Sequence, residues 1–330
     1  MRKIAVIGSN SFSGQDLVDL LLDDPDNQVL GISRSPEYAP FRLRYAGRED
    51  LSRFSFQRFD MNRDMDAMLA FLDAERPTHI VNFAAQSEVA PSWLHPEHWF
   101  ETNTVALAKF VNHMRGQDYL QRYVHISSPE AYGDCQGVVR ETTPDNPTTP
   151  YAASKAAADM LISTYQRQYG FPAITIRATN VYGAHQQMFK IMPRAVIYIK
   201  SGRKIQLHGG GVAVKSYIHI RDVSRGERAA LFQGRVGERY HLAPDAGVSV
   251  RHVVDTICTR MGADFEACVD VVDERPGQDA AYVIDATKAH DELGWSPTIS
   301  LQEGLSEVVD WVEKNGSVIA EQELEYVHKP

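Results

Sequence analysis

Tyr151-Ala152-Ala153-Ser154-Lys155 sets a phenol and an ammonium at i and i+4, one turn apart on the same face of a helical segment. A tyrosine with an ordinary pKa of about 10 is a poor base at neutral pH. A cation one turn away favours the phenolate, which can then take a hydroxyl proton as hydride leaves the same carbon. Such pairs arise often by chance, so the surroundings must supply the specificity. Upstream, Ser127-Ser128-Pro129-Glu130 follows an apolar run and adds the Ser128 hydroxyl and the Glu130 carboxylate at the carboxyl end of a strand. Open α/β sheets bind ligands at that end. Outside this context Ser128 reads as turn chemistry and Glu130 as a solvated helix-start charge.

A second constellation lies at the start of the chain. Gly8-Ser9-Asn10-Ser11-Phe12-Ser13-Gly14 links the first apolar run to the first helical pattern, where backbone N–H groups and the helix dipole favour an anion. The turn reads as a dinucleotide-phosphate site, with Gly8, Ser11, Phe12, Ser13 and Gly14 as its contacts. Ser11 replaces the usual middle glycine, so either its Cβ crowds the pyrophosphate or its hydroxyl binds it. At the end of the second strand Gly31-Ile32-Ser33-Arg34-Ser35 offers no carboxylate for a ribose. The Ser33 hydroxyl and Arg34 guanidinium suit a 2′-phosphate, so NADP is favoured over NAD. Arg34 as a solvated loop charge is the competing reading and keeps NAD open. Asp60, with Met61 beside it, is expected to face the adenine amine, unless Asp60 or Asn62 caps a helix.

These groups need elements to position them. Short β-branched runs alternate with helical patterns over the first 125 or so residues, which is the pattern of βαβ units. Strands are expected at Lys3–Ile7, Val29–Ser33, Ser55–Phe59, His79–Phe83, Tyr123–Ser127 and Ala173–Arg177. Helices are expected at Gln15–Leu22, Met65–Asp73, Val105–Arg115 and Tyr151–Tyr169, the last closed by Gly170. The fold class is α/β, a doubly wound parallel sheet. Beyond Gly183 the alternation decays into Pro/Gly-punctuated segments with helices near Val250–Met261 and Ser300–Glu313, a smaller mixed α/β lobe.

Composition limits the partners. The 330 residues carry 34 Lys+Arg against 43 Asp+Glu, a net charge of −9, which gives a nucleic acid nothing to attract. No apolar run approaches the ~20 residues that span a bilayer, so no membrane is expected. Three cysteines, none in a C-x-x-C pair, fit a reducing, cytoplasmic setting. The histidines are read as lacking metal-ligand spacing, and no metal is expected.

Over nearly its whole length the chain resembles the extended short-chain dehydrogenase/reductases, with their Rossmann sheet, and among them the nucleotide-sugar 4,6-dehydratases. Val81–Ser92, with Ala84-Ala85-Gln86-Ser87, is similar to GDP-mannose 4,6-dehydratases. Pro150–Asp159, Asn180–Gly183, Gly209–Asp222, Glu274–Asp285 and Leu293–Pro297 are similar to dTDP-glucose 4,6-dehydratases. The resemblance implies a homodimer joined through a four-helix interface, and a cofactor that is regenerated at each turnover. Tyr151 would take the sugar 4-hydroxyl proton, Ser128 would bond the reacting oxygen, and Lys155 would hold the nicotinamide ribose and lower the tyrosine pKa. Glu130 would remove the C5 proton. Ala84, Ala85 and Gln86 would line the cofactor, and Ser87 and Glu88 the substrate. Asn180, Lys190, Lys215 and Arg275 match positions that hold the nucleotide's diphosphate and ribose, and His208 a position of base stacking. Residues 1–180, with a return segment 214–244, would form the dinucleotide-binding part; 181–213 and 245–330 would form the nucleotide-sugar-binding lobe. The chain departs from the pattern at Pro129, where dTDP-glucose dehydratases carry an acidic residue, at Glu88, which replaces a histidine, and at Lys215, which replaces an arginine. A 4-epimerase or a uronate decarboxylase of the same superfamily is the alternative, though Glu130 argues against a simple epimerase.

Overall fold

The computed structural model describes residues 1–135, 137–273 and 283–329. Seven parallel strands form the central sheet: β1 (Arg2–Ile7), β2 (Asn27–Ser33), β3 (Phe54–Arg58), β4 (His79–Asn82), β5 (Arg122–Ile126), β6 (Ala173–Ala178) and β7 (Arg239–Leu242). They lie in the order β3-β2-β1-β4-β5-β6-β7. The order reverses at β1, where β2 lies on one side and β4 on the other. The crevice beyond the carboxyl ends of β1 and β4 is therefore the topological switch point where such sheets bind ligands.

Counting helices of eight residues or more among the described residues, the chain forms α1 (Phe12–Leu21), α2 (Met65–Glu75), α3 (Leu107–Met114), α4 (Pro150–Tyr169), α5 (Ile191–Lys200), α6 (Ile220–Gln233), α7 (Val250–Arg260) and α8 (Leu301–Lys314). The period of two along β1 decides which helices lie on which face. Ile4 and Val6 pack with Leu17, Leu21, Val223 and Leu231 of α1 and α6. Ala5 and Ile7 pack with Leu72, Phe110, Val111 and Ile162 of α2, α3 and α4. A third core joins α5, α7 and α8 through Met192, Val196, Val253, Ile257, Leu305 and Val309. Each large side chain removed from water here contributes roughly 1.5–3 kcal/mol.

The six strands expected from the sequence are present, each end within two residues of its expected place. β7 was hidden by its composition, Arg-Tyr-His-Leu. Its His241 is fully buried, 2.6 Å from the Tyr132 hydroxyl through Nε2 and 2.9 Å from the Asp285 carbonyl through Nδ1, so a polar side chain occupies a core position. Helices α5 and α6 were hidden as well.

Candidate active site

Thr149 caps α4 by accepting from the Ala152 N–H, Pro150 occupies the first turn, and Gly170 ends the helix in the left-handed region at φ 65°. This fixes the helix that carries Tyr151 and Lys155. Just past β5, Ser128 caps the short 3-10 turn Pro129–Tyr132 by accepting from the Glu130 N–H at 3.2 Å. The same hydroxyl bonds the buried Tyr151 phenol, and the Glu130 carboxylate lies close enough to act on that phenol electrostatically. Ser128, Glu130 and Tyr151 thus meet at the carboxyl end of the central strands.

The electrostatics differ from the expectation for the tyrosine. Burial pushes the Tyr151 phenol well up, Glu130 adds to the rise, and the Ser128 hydrogen bond opposes it. Lys155 is not among its leading influences. The Lys155 ammonium donates instead to the Ile126 carbonyl at 2.6 Å, and burial pushes its pKa down to about 8 despite the attraction of Asp159. Behind it lies a buried charge cluster. Asp159 accepts from the Ser127 hydroxyl at 2.6 Å and pairs with Arg177, which also donates to Asp145 at 2.7 Å; His125 stands 3.3 Å from Asp159. Although burial alone would raise the Asp159 carboxyl, His125, Arg177 and Ser127 outweigh it and hold it far below the carboxylate range. Sequence reading missed Asp159 and Arg177; their spacing has no signature, because only the sheet brings them together.

A groove of about 500 Å³ runs along the switch point, lined by Gly8, Ser11, Phe12, Ser33, Arg34, Asp60, Met61, Ala84, Ala85, Gln86, Ser87 and Glu88 among others. Bare backbone makes it possible. A Cβ on Gly8, at φ +87°, would lie 2.9 Å from the Ala84 nitrogen, and one on Gly14 would lie 2.3 Å from the Gly8 carbonyl oxygen. The Ser11 hydroxyl caps α1 by accepting from the Gly14 N–H at 2.9 Å, a role that the sequence reading did not give it. Ser33 accepts from the Asn10 N–H at 2.9 Å and so ties the glycine turn to the end of β2. Arg34 donates to the Lys329 carbonyl at 3.1 Å. One Asp60 oxygen accepts from the Asn62 N–H at 2.8 Å, and Asp64, not Asp60 or Asn62, stands at the start of α2. Ser13 and Gly14, in the first turn of α1, are outside the groove lining, as are Ser128, Glu130, Tyr151, Lys155 and Lys190.

Two links join helix α4 to the segment 84–92, whose residues Ala84–Glu88 line the groove. The Tyr151 N–H donates to Ser92 Oγ at 3.2 Å. Asn103 accepts from the Gln86 N–H at 2.8 Å and donates to the Gln86 carbonyl at 3.0 Å and to Ser154 Oγ at 2.9 Å. In the lobe, Lys190 pairs with Glu88 at 2.8 Å, so the glutamate that departs from the family pattern and the candidate phosphate ligand meet each other. Asn180 is exposed at a strand edge beside Tyr217, His208 lies 2.9 Å from the Asp273 carbonyl, and Lys215 pairs across to Val248. None of these three lines the groove. Arg275 lies outside the described residues.

Residues 6–308 match the family model described as GDP-mannose 4,6 dehydratase. The chain belongs to this family. Within the GDP-mannose 4,6-dehydratase family at large, it is 33% identical over 264 residues to the dTDP-glucose 4,6-dehydratase of Xanthomonas campestris pv. campestris, covering 74% of this chain and 75% of that one. It is 31% identical to the enzyme of the same name from Mycolicibacterium smegmatis, covering 96% and 94%. A crystal structure of dTDP-glucose 4,6-dehydratase from Streptomyces venezuelae with NAD bound superposes with a TM-score of 0.85 at 29% identity, covering 96% of this chain and 98% of that one. The family's fold and the sheet described above agree in their seven-stranded doubly wound plan.

Proposed function

We propose that this chain is a nucleotide-sugar 4,6-dehydratase, a lyase that converts an NDP-hexose to an NDP-4-keto-6-deoxyhexose. The observation that carries this reading is the meeting of Ser128, Glu130 and Tyr151 at the sheet's carboxyl edge, beside a groove that only glycine backbone leaves open. Gly8, Ser11, Phe12, Asp60, Met61 and the Ala84–Gln86 stretch would hold a nicotinamide dinucleotide there, with Ser13 and Gly14 behind them in the first turn of α1. When bound, that group would supply reversible two-electron hydride chemistry to the sugar ring.

The chain's own residues handle the protons. Ser128 bonds the reacting C4 oxygen, and Tyr151 receives the 4-hydroxyl proton only as the phenolate, after its own proton has left; burial opposes that state, and the Lys155 ammonium, present below its shifted pKa of about 8, is the positive charge on the same helix that favours it. The new C4 carbonyl acidifies the C5 proton by enolate delocalisation, so Glu130, a carboxylate of modest basicity, can remove it. Water then departs from C6. Pro129 has no titratable group, so the C6 oxygen takes its proton from Ser128, a water or Glu130 itself. The lobe of 181–213 and 245–330 receives the nucleotide, with Ser87, Glu88, Asn180, Lys190, His208 and Lys215 as its contacts, and residues 1–180 with 214–244 carry the dinucleotide. Lys190 must exchange Glu88 for phosphate when substrate arrives.

Ser33, Arg34 and Ser35 close β2 without a carboxylate, and Arg42 also lines this end of the groove, which supports a preference for NADP. The homodimer forms through α3 and α4. Ala153 and Ala157 are half-buried in line with exposed Met160, and Phe100 and Val105 are exposed on the segment leading into α3. Ala152, Ala156 and Ala158 pack inward instead and belong to the monomer's own core. Free cysteines at 135, 258 and 268 support a reducing, cytoplasmic setting; no helix among the described residues is long and apolar enough to cross a membrane. Incubation with a panel of UDP-, dTDP-, GDP- and CDP-hexoses and the corresponding uronates, read by mass, tests the activity: loss of one water from one nucleotide class of hexose is expected. An isomer of unchanged mass would make the chain a 4-epimerase, and carbon dioxide released from a uronate would make it a decarboxylase.

A further inference from the structure

His95-Pro96-Glu97-His98 opens a short helix at the edge of the molecule, and Pro96 restricts the backbone between the first two of its polar side chains. Glu97 Oε1 lies 3.8 Å from both His95 Nδ1 and His98 Nε2, and one ligand atom from each of the three side chains falls within 4.8 Å of the others. A tetrahedral zinc site with bonds of about 2.1 Å needs ligand atoms about 3.4 Å apart, so a small closure of these side chains suffices.

The other nitrogen of His98 is already engaged. Its Nδ1 lies 2.9 Å from Nε2 of His328, whose own Nδ1 lies 3.1 Å from the Tyr326 hydroxyl. If His98 Nε2 offers its lone pair to an ion, Nδ1 must carry the proton and donate to His328. Nδ1 of His328 then carries a proton and donates to Tyr326. A metal-ligating imidazole is oriented by such a donor bond from its second nitrogen. The rings of His95, His98 and His328 lie nearly parallel, with centroids 5.2–5.5 Å apart, and Trp99 stacks on His328 at 5.1 Å.

His328 belongs to the C-terminal segment that crosses the groove. Lys329 accepts through its carbonyl from Gln86 and Arg34, Glu325 pairs with Arg194, and Tyr326 packs edge-on against Phe189. Glu323, Glu325, Tyr326, Val327 and Lys329 line the same groove as the glycine turn.

We propose that His95, Glu97 and His98 form a surface site for a divalent transition metal of the zinc class, and that its occupancy fastens the C-terminal segment across the groove through His328. The metal is structural, holding a closure in place, and takes no part in the proton steps above. The site stands independently of the dinucleotide assignment; only the consequence for what the groove holds rests on it.

Tag-free full-length protein is titrated with Co²⁺ as a spectroscopic probe and with Zn²⁺. One Co²⁺ per chain is expected, with visible bands of a low-coordinate nitrogen/oxygen site that Zn²⁺ displaces. His98→Ala and His95→Ala are each expected to weaken binding at least 100-fold. His328→Ala leaves the three ligands in place but removes the orienting bond and the ring packed beside them, and is expected to weaken binding about tenfold. Hydrogen exchange of amides 323–329 should slow on Zn²⁺ addition in the parent chain and stay unchanged in His328→Ala. Absence of saturable Co²⁺ binding, or binding that survives His98→Ala, overturns the site. Metal binding that leaves exchange of the C-terminal segment unaltered overturns the fastening.

Discussion

At the scale of single residues, the phenol of Tyr151 and the carboxylate of Glu130 divide the proton work, so their removal should stop turnover at different points. Tyr151→Phe is expected to lower kcat by about 10²–10⁴ while nucleotide-sugar binding, measured calorimetrically, stays within a few fold. Glu130→Gln is expected to halt after the oxidation, and reduced nicotinamide absorbance should accumulate in a single turnover. Normal turnover by Glu130→Gln would remove it as the C5 base. Lys155 links the site to pH. Its folded pKa of about 8 lies below the ordinary 10.5, so between those values the folded protein binds fewer protons than the unfolded chain, and this residue makes stability rise with pH. Activity moves the other way, because the ammonium is lost above about 8. The kcat/KM profile should therefore fall through pH 8, and a plateau continuing well above it would take the Lys155 charge out of the reaction.

Among the elements, the connection from β4 to α4 depends on a turn of π-helix, Glu101–Ala106, that precedes α3. The wider turn sets the buried Asn103 between Gln86 and Ser154, where it makes three hydrogen bonds. Asn103→Ala leaves the Gln86 backbone without these partners and is expected to cost about 1–3 kcal/mol in a chemical denaturation series, with KM for the dinucleotide raised. Gly133 ends the Ser128–Glu130 turn at φ 64°, and a Cβ there would lie 1.7 Å from the Asn146 carbonyl oxygen. Gly133→Ala is expected to destabilise the fold by about 3 kcal/mol, read as a lower thermal midpoint. An unchanged midpoint would mean that the loop carrying Asn146 yields freely.

For the whole molecule, the exposed apolar side chains Phe100, Val105 and Met160 on or next to α3 and α4 predict association of two copies. Light scattering should give twice 37.0 kDa at micromolar concentration, and Met160→Glu should shift the mass toward the monomer. A mass of one chain for the parent protein would refute the dimer.

What the sequence determined by itself is local. Six strands, the glycine turn, the Gly170 stop of α4 and the Tyr–Lys pair each arise from residues a few positions apart, where periodicity and backbone sterics act without distant partners. The family resemblance added roles but no distances. Only the tertiary structure decided the rest, because its causes lie far apart in the chain. The sheet gathers Ser127, His125, Asp159 and Arg177 into one buried cluster, and dry surroundings set the direction of each pKa. β7 closes one edge of the sheet with its histidine buried, because Tyr132 and Asp285 satisfy that side chain. Lys190 meets Glu88 across 102 positions, and the C-terminal segment crosses the groove more than 200 residues after His98, since packing places together what sequence separation conceals.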